Sequence, residues 1–253
     1  MSLFRNIIIK IINQFIYFLS GHKLYRPIII KRLEFQNEPH IDKDFLKICK
    51  KLKKIYKKNC IEETNYTAYR STKNIVNKNI KGAIVECGVF KGEKISFFIE
   101  TLKLLKCYNR KIYLVDTFEG MTRPSSLDFQ VITGRRMSEK DMFCSLLDVK
   151  KNISLSNYPE KNIKFLKIDV RETNLLKKNI PNSIAILRLD VDFYDATLSA
   201  LKALYYKVSK YGYIIHDDYG HWKGHFMAFN KFFNDKKTEI IRTCRKELIQ
   251  IKN

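Results

Sequence analysis

The sequence predicts an α/β fold with a doubly wound, mostly parallel sheet, and three observations support this prediction. From Gly82 onward, short apolar segments alternate with amphipathic helical segments. Most of the apolar segments end abruptly at an acidic residue. The chain closes with two short apolar segments around a Lys-Glu turn. Apolar strands that alternate with helices are typical of a parallel sheet covered on both faces, and the final pair adds an antiparallel edge.

Seven strands make up the predicted sheet. The five parallel strands are the segments "AIVECG", "KIYLVD", "IKFLKID", "SIAILRLD" and "YGYIIHDD". The segment "EIIRTCRKELIQIK" supplies the last two strands as a hairpin. Helices are predicted for "EKISFFIETLKLL", for "ATLSALKALYYKVS" and for the stretch from His221 to Asn234, because their apolar residues recur at helical spacing.

Residues 1–60 are predicted to form an N-terminal helical extension, followed by the main domain in residues 61–253. An amphipathic helix is expected from Asp42 to Asn59, with Asp42 as its N-cap, and a second helix from Thr64 to Asn77. The first 20 residues are mainly apolar but too interrupted for a membrane span. They are expected to pack on the domain or on a second subunit, with an interfacial membrane contact as the alternative. The residues expected to be buried there are Ile8, Ile12, Phe15 and Leu19.

The net charge indicates the kind of partner, and the cysteine content indicates the redox environment. The 253-residue chain carries a net charge of +22, which favours an anionic partner, although A/T-rich codons for Lys, Ile and Asn would also produce it. Six cysteines are scattered without a CxxC pair, as is typical of reduced thiols in a cytoplasmic protein. Cys87 lies in a predicted strand and is expected in the core.

Acidic residues close the predicted strands, and the topology gathers them at one edge of the sheet. They are Glu86, Asp116, Asp169, Asp190 and Asp217. Ligands bind outside the carboxyl ends of the strands in such sheets. The first strand continues into a turn with Gly88 and Gly92, which allows a close backbone approach by a ligand.

This turn is neither a GxGxxG motif nor a phosphate-binding loop that ends in GKS or GKT. It suits a nucleoside without phosphate, whose ribose Asp116 could bind and whose adenine amine could lie near Asp169. A turn that merely packs the helix on the strand is the alternative explanation.

A second group of acids predicts a metal site. Asp190, Asp217 and Asp218 end neighbouring strands, and crowded carboxylates are stabilised by a hard cation such as Mg²⁺. The alternative is that Asp192 or Asp195 caps the following helix and that Asp218 caps a turn. Three histidines nearby are expected at the rim of the pocket, not as metal ligands: His216, His221 and His225.

Several segments resemble, in order, the macrocin O-methyltransferase family. They are "GAIVECGVFKGEKIS", "KIYLVDTFEGMTRP", "IKFLKIDVRET", "IAILRLDVDFYDATLSAL" and "GYIIHDDYGHWKGHFMAFNKFF". The resemblance implies a class I S-adenosylmethionine-dependent methyltransferase fold, which is Rossmann-like, and a Mg²⁺-dependent sugar O-methyltransferase. The segment "DDYGHWKG" is most similar to members associated with surface-polysaccharide synthesis.

The resemblance also implies roles for individual residues. The cofactor S-adenosylmethionine would be bound by Glu86, Gly88, Gly92, Asp116, Thr117 and Asp169. The metal ligands would be Asp190, Asp217 and Asp218, with Asp190 also the general base and Asp192 in reserve. The segment "TRPSSLDFQVITGRRMSEKD" is expected to be a mobile lid, in which three arginines could bind an acidic or nucleotide-linked sugar or could simply be solvated: Arg123, Arg135 and Arg136.

The expected acceptor is a sugar or a nucleotide-sugar, in capsule, lipopolysaccharide or other glycan synthesis. A metal-dependent methyltransferase of catechol-like molecules, a nucleic-acid methyltransferase and a non-catalytic binding module are the alternatives. No nucleic-acid partner is expected, because the sequence contains no RNA-binding motif. Homo-oligomerisation and contact of a cytoplasmic enzyme with the inner face of the membrane are left open.

Overall fold

The computed structural model describes residues 42–234, 238–244 and 246–252. The predictions made for residues 1–41, including the burial of Ile8, Ile12, Phe15 and Leu19, lie outside the described residues.

A seven-stranded sheet forms the centre of the fold, in the order β3-β2-β1-β4-β5-β7-β6. Strands β1 to β5 are parallel, β7 is antiparallel to β5, and β6 is antiparallel to β7. The predicted fold class is therefore confirmed. The strands are β1 (Ala83–Cys87), β2 (Ile112–Asp116), β3 (Ile163–Lys167), β4 (Ile184–Leu189), β5 (Val208–His216), β6 (Ile240–Arg242) and β7 (Leu248–Ile251).

Helices cover both faces of the sheet. They are α1 (Lys43–Tyr56), α2 (Glu63–Asn77), α3 (Glu93–Leu104), α4 (Leu146–Ser154), α5 (Thr173–Asn179), α6 (Tyr194–Leu204) and α7 (Lys223–Phe233). The helices α4 and α5 were not predicted from the sequence. Each is short and buries only one or two apolar side chains, so neither carries a clear helical periodicity.

Two hydrophobic clusters lie on the two faces of the sheet. The first contains buried residues of α1 to α4 against alternate sheet residues such as Ile84, Leu114 and Ile186. The second contains buried residues of α5, α6 and α7 against the intervening sheet residues, such as Val85 and Leu187. Because side chains alternate along a strand, each strand serves both clusters.

Helix α1 begins where the sequence predicts. The carboxylate of Asp42 accepts hydrogen bonds from the backbone N–H groups of Asp44 and Phe45, so Asp42 is the N-cap. The apolar face of α1 lies in the same cluster as α2 and α3, with Phe45 and Leu52 fully buried. This segment of the chain therefore shares a core with the sheet, while the division at residue 60 stays a prediction.

All six cysteines lie in the described residues and are free thiols, and Cys87 is fully buried in β1, as expected. Among the helices that the structure describes, none is both long enough and apolar enough to cross a membrane.

Candidate active site

An open cavity lies at the carboxyl ends of β1, β2 and β4. Its empty volume, which includes open solvent at its mouth, is about 710 Å³. The order in which the strands are added to the sheet reverses between β1 and β4, and a doubly wound sheet binds ligands at this switch point. Four of the predicted cofactor residues line it: Gly88, Asp116, Thr117 and Asp169.

Gly88 brings the turn after β1 against the chain that leaves β4. A Cβ atom on Gly88 would lie only 1.8 Å from the carbonyl oxygen of Asp190. The φ of Gly88 is also +81°, a region that L side chains rarely adopt. The predicted cofactor turn lies directly against the predicted metal loop, and this close approach requires glycine at position 88.

The carboxylate of Asp116 fastens this turn from the neighbouring strand. Its Oδ2 atom accepts hydrogen bonds from the backbone N–H groups of Val89, at 2.7 Å, and Phe90, at 3.2 Å. Its Oδ1 atom accepts one from Phe118, at 2.8 Å. The acid predicted to bind a ribose thus also determines the shape of the turn.

Two predicted cofactor residues do not line this cavity. Gly92 lies at the start of α3 and faces Ile153 of α4. Glu86 is 1% exposed and points into the α1–α4 side of the sheet, where its carboxylate accepts a hydrogen bond from Arg188 at 2.8 Å. Side chains alternate along β1, so Glu86 points to the same face of the sheet as Ile84, which packs against α1–α4, and not towards the cavity. Burial raises the pKa of Glu86 to about 7, although Arg188 opposes this shift.

Asp169 lies at the far end of the cavity, beyond β3. The guanidinium of Arg171 contacts both of its carboxylate oxygens, so Asp169 is already paired in this structure. Its place beside the cavity agrees with the predicted site, whereas the predicted contact with an adenine amine stays a prediction.

Three carboxylates converge beside the cavity. One oxygen each of Asp190, Asp192 and Asp218 lies within 4.8 Å of the others. Asp190 and Asp192 also line the cavity, whereas Asp218 is buried behind them. This set differs from the predicted one in a single residue, since Asp192 stands where Asp217 was expected. Asp192 reaches the cluster because its backbone is left-handed, with a φ of 53°.

Asp217 instead lies between two cations. Its Oδ1 atom is 2.8 Å from a guanidinium nitrogen of Arg188, and its Oδ2 atom is 3.1 Å from the ammonium of Lys246. Burial works against ionisation, but the two cations lower the pKa of Asp217 below its usual range. Although Asp217 and Asp218 are adjacent in the sequence, Asp217 contacts two cations and Asp218 lies beside other carboxylates.

The other three carboxylates show the opposite electrostatic effect. Burial and mutual repulsion raise the pKa of Asp192 to about 7 and raise the pKa of Asp218 well above its usual value. The pKa of Asp190 is also raised, mainly by burial. One buried oxygen of Asp218 has no hydrogen-bond partner in the described part of the chain. Crowded carboxylates with an unsatisfied oxygen fit a hard divalent cation, which would favour their ionised forms.

Two of the three histidines are not at the rim of the pocket, which corrects the sequence prediction. His216 and His225 are fully buried on the α6–α7 side of the sheet and contact each other at 3.1 Å. His216 Nε2 donates to Gln250, and the hydroxyl of Thr197 donates to His225, so every ring nitrogen is used. Burial lowers the pKa of His216 to about 4, and both rings are structural.

The segment predicted as a mobile lid is tied to the domain at several points. Backbone hydrogen bonds join Val131 to His221 and Lys223 to Phe129. The carboxylate of Asp128 is 2% exposed and accepts a hydrogen bond from the backbone of Tyr194, the first residue of α6. Arg136 binds carbonyl oxygens within the segment, so it is committed to local structure. Whether the segment moves stays a prediction.

Sequence reasoning overlooked Arg188, Lys246 and Asp128. Arg188 offered a signal, because an arginine inside a predicted buried strand needs a carboxylate partner. No sequence pattern indicated the role of Asp128, because its partner Tyr194 is 66 residues away in the sequence.

Residues 66–244 match the family described as Macrocin-O-methyltransferase (TylF). The solved structure of the O-methyltransferase NovP has a TM-score of 0.68 and 22% identity, over 76% of this chain and 80% of that chain. A calicheamicin methyltransferase has a TM-score of 0.62 and 17% identity, over 87% and 97%. Both likenesses confirm the fold.

Three relatives of known activity also match this chain. Demethyldecarbamoylnovobiocin O-methyltransferase from Streptomyces niveus is 28% identical over 58% of this chain and 56% of its own length. Mycinamicin III 3''-O-methyltransferase from Micromonospora griseorubida is 26% identical over 55% of this chain and 56% of its own. 8-demethyl-8-(2,3-dimethoxy-alpha-L-rhamnosyl)-tetracenomycin-C 4'-O-methyltransferase from Streptomyces olivaceus is also 26% identical, over 57% of this chain and 56% of its own length. The matched part of each relative is little more than half of its length.

Proposed function

Because this chain belongs to the macrocin O-methyltransferase family, we propose that it transfers a methyl group from S-adenosylmethionine to a sugar hydroxyl. The observation that carries this proposal is the convergence of Asp190, Asp192 and Asp218 beside the cavity at the switch point of the sheet. The names of the matched relatives support a glycosylated or sugar acceptor.

The cofactor is assigned to the cavity. S-adenosylmethionine, when bound, supplies a methyl group on a positively charged sulfur. Gly88 lines the cavity, and Asp116 and Asp169 provide carboxylates at the end of β2 and beyond the end of β3. No phosphate-binding loop is needed, because this cofactor carries no phosphate.

The carboxylate cluster is assigned to Mg²⁺. When bound, Mg²⁺ supplies positive charge that lowers the pKa of an acceptor hydroxyl. The convergence of Asp190, Asp192 and Asp218 supports this assignment, as does the buried Asp218 oxygen that has no partner in the described part of the chain. Asp217, which the sequence also suggested as a ligand, is engaged by Arg188 and Lys246.

Asp190 is the proposed general base. Its side chain is 33% exposed and lines the cavity, so an acceptor hydroxyl can reach it. Asp190 would accept the proton that the acceptor hydroxyl loses. The acceptor oxygen would form a bond to the methyl carbon as the bond between that carbon and sulfur breaks, with S-adenosylhomocysteine as the leaving group. The remaining residues hold and orient the reactants, which is the larger contribution when the cofactor already carries the reactive group.

The acceptor is proposed to be a nucleotide-sugar or a glycan of surface-polysaccharide synthesis, based on the resemblance of the "DDYGHWKG" segment. Arg123 and Arg135 are exposed, and Arg123 lines a second cavity together with Thr117 and Asp169. The positive charge of these arginines would attract an anionic acceptor. A catechol-like acceptor would use the same acids, so the choice of acceptor distinguishes the two functions.

The proposal is tested by a methyl-transfer assay on the full chain, with nucleotide-sugars, glycans and catechols as acceptors. We expect transfer to a sugar that stops with a chelator and returns with Mg²⁺. Replacing Asp190→Asn or Asp218→Asn should lower kcat/KM by about 100-fold, because each removes charge at the reacting oxygen. The matched control is Asp195→Asn, an exposed acid on the first turn of α6, which should stay within about twofold. Full, chelator-insensitive transfer by Asp190→Asn and Asp218→Asn would refute the role of the cluster.

A further inference from the structure

Arg188 is a buried cation at the centre of the acidic edge. Its side chain is only 2% exposed, because it lies in β4, a central strand of the sheet. One terminal nitrogen, Nη1, is 2.8 Å from Glu86 and 2.8 Å from Asp190 Oδ2. The other, Nη2, is 2.8 Å from Asp217 Oδ1. One guanidinium therefore contacts carboxylates from β1, from the end of β4 and from the end of β5.

Burying an arginine is expensive unless its charge is paired, and Glu86 alone would provide a pair. The two further partners lie at the carboxyl edge, where one is a proposed metal ligand and the other is adjacent to one. A guanidinium is planar and rigid, so it can fix the direction of two carboxylates at once, which an ammonium cannot do. The arrangement therefore does more than neutralise Glu86.

We propose that Arg188 is a positioning residue, which holds Asp190 by Oδ2 so that the other oxygen of Asp190 faces Asp192 and Asp218 and can bind a divalent cation. This inference rests on the proposed function, since it concerns the metal assigned there. The same guanidinium and the ammonium of Lys246 also form salt bridges with Asp217, although Asp217 Oδ1 has no hydrogen-bond partner among the described residues. Arg188 thus links Asp190, which belongs to the carboxylate cluster, to Asp217, which lies outside that cluster.

A simple charge effect predicts the opposite result from positioning. Arg188 is a positive charge close to the acids, so its removal would strengthen the attraction for a cation if only charge mattered. Lys246 offers a matched control, because it is also a cation beside Asp217 but does not contact Asp190 within salt-bridge distance. Its side chain is 43% exposed and tolerates replacement better than Arg188 does.

The experiment measures Mn²⁺ binding to the full chain by electron paramagnetic resonance and S-adenosylhomocysteine binding by calorimetry. Replacing Arg188→Lys keeps the charge but loses the planar fork, and we expect Mn²⁺ affinity to fall about tenfold or more. The control Lys246→Met should bind Mn²⁺ as tightly as the unmodified chain or more tightly. Cofactor affinity should change less than about threefold in both variants.

A second variant separates positioning from folding. In the double variant Glu86→Gln with Arg188→Gln, the buried ion pair becomes a neutral pair that can still form a hydrogen bond, and circular dichroism verifies that it is folded. We expect Mn²⁺ affinity to fall here as well, while Glu86→Gln alone stays within about threefold. Unchanged Mn²⁺ affinity in Arg188→Lys, or tighter binding in the double variant, would overturn the inference. Absence of Mn²⁺ binding by the unmodified chain would overturn the metal assignment itself and this inference with it.

Discussion

Two separate constraints require glycine at position 88, and one of them is specific to the site. The left-handed backbone of Gly88 would strain any L side chain, and its close contact with Asp190 would exclude one. The second restriction is specific to the site, because it joins the cofactor turn to the metal loop. A matched comparison can separate them, since Gly134 also has a positive φ, of 68°, but has open space around its Cβ position.

Replacing Gly88→Ala should therefore be much more damaging than replacing Gly134→Ala. We expect Gly134→Ala to cost about 1–2 kcal/mol of unfolding free energy from backbone strain alone. Gly88→Ala should cost more than 3 kcal/mol and weaken S-adenosylhomocysteine binding, because the backbone near Asp190 must move. Thermal unfolding and calorimetry measure the two effects. Equal losses in both variants would mean that the contact with Asp190 is unimportant.

The carboxyl of Asp192 makes stability depend on pH. Its pKa is raised from 3.8 in the unfolded chain to about 7 in the folded one, by burial and then by Asp190. A carboxyl with a raised folded pKa binds its proton more tightly when folded, so the free energy of unfolding falls as the pH rises from about 4 to about 7. A cation binds the ionised form and removes part of this loss.

Mg²⁺ should accordingly raise the melting temperature more at pH 8 than at pH 5.5. Differential scanning calorimetry with and without Mg²⁺ at the two pH values measures this difference. Asp192→Asn should reduce the difference, because the titrating carboxyl is gone. A melting temperature that responds to Mg²⁺ equally at both pH values would contradict the metal assignment.

At the scale of elements, helix α6 follows the metal loop and is capped from outside its own sequence. The residue before α6, Phe193, provides no side-chain cap. Asp128 supplies one from the segment of residues 122–141, and its other oxygen accepts hydrogen bonds from Ser125. Gly224 of α7 leaves space for this carboxylate, since a Cβ there would lie 2.0 Å from Asp128 Oδ1. The alternative caps considered from the sequence, Asp192 and Asp195, do not perform this role.

Asp128→Ala should loosen both the segment and α6. Loss of a buried cap should cost about 1–2 kcal/mol, or about 2–8 °C in melting temperature for a chain of this size. Trypsin should then cleave faster next to Arg135 and Arg136. Asp141→Ala is the control, because Asp141 caps an exposed turn in the same segment and its loss should cost less than about 0.5 kcal/mol. Unchanged cleavage in Asp128→Ala would show that the segment is held by other contacts.

At the scale of the whole molecule, the charge is distributed unevenly between surface and interior. The chain has a net charge of +22, yet most of the buried charged groups at the sheet edge are acidic. Among the described residues, Arg188 is the only buried Lys or Arg, so the other described basic side chains contribute to a surface potential that attracts anionic partners. An anionic acceptor or an anionic membrane surface would each benefit from this potential.

Liposome flotation distinguishes these two partners. If residues 1–20 contact the membrane, the full chain should float with vesicles that contain anionic lipid, and a chain lacking residues 1–20 should not. If those residues pack on protein, neither chain should float at 0.15 M salt. Flotation of both chains would mean that the basic surface, not the apolar segment, binds the vesicle.

The sequence by itself determined the sheet, the order of its strands along the chain and the collection of acids at one edge. Apolar runs that end at Asp116, Asp190 and Asp217 sufficed for this, because parallel strands bring their carboxyl ends together. The N-cap at Asp42 and the buried Cys87 were also readable, since capping and burial are local properties.

Only the tertiary structure decided which acids share a site. The direction of a side chain at a strand end depends on the backbone of the exit loop, as the left-handed Asp192 illustrates. Glu86, Asp190 and Asp217 contact the buried guanidinium of Arg188, whereas Asp190, Asp192 and Asp218 converge beside the cavity, so only Asp190 belongs to both groups. Neighbouring residues of a strand point to opposite faces of the sheet. The sequence alone does not decide which of them the packing turns towards the site.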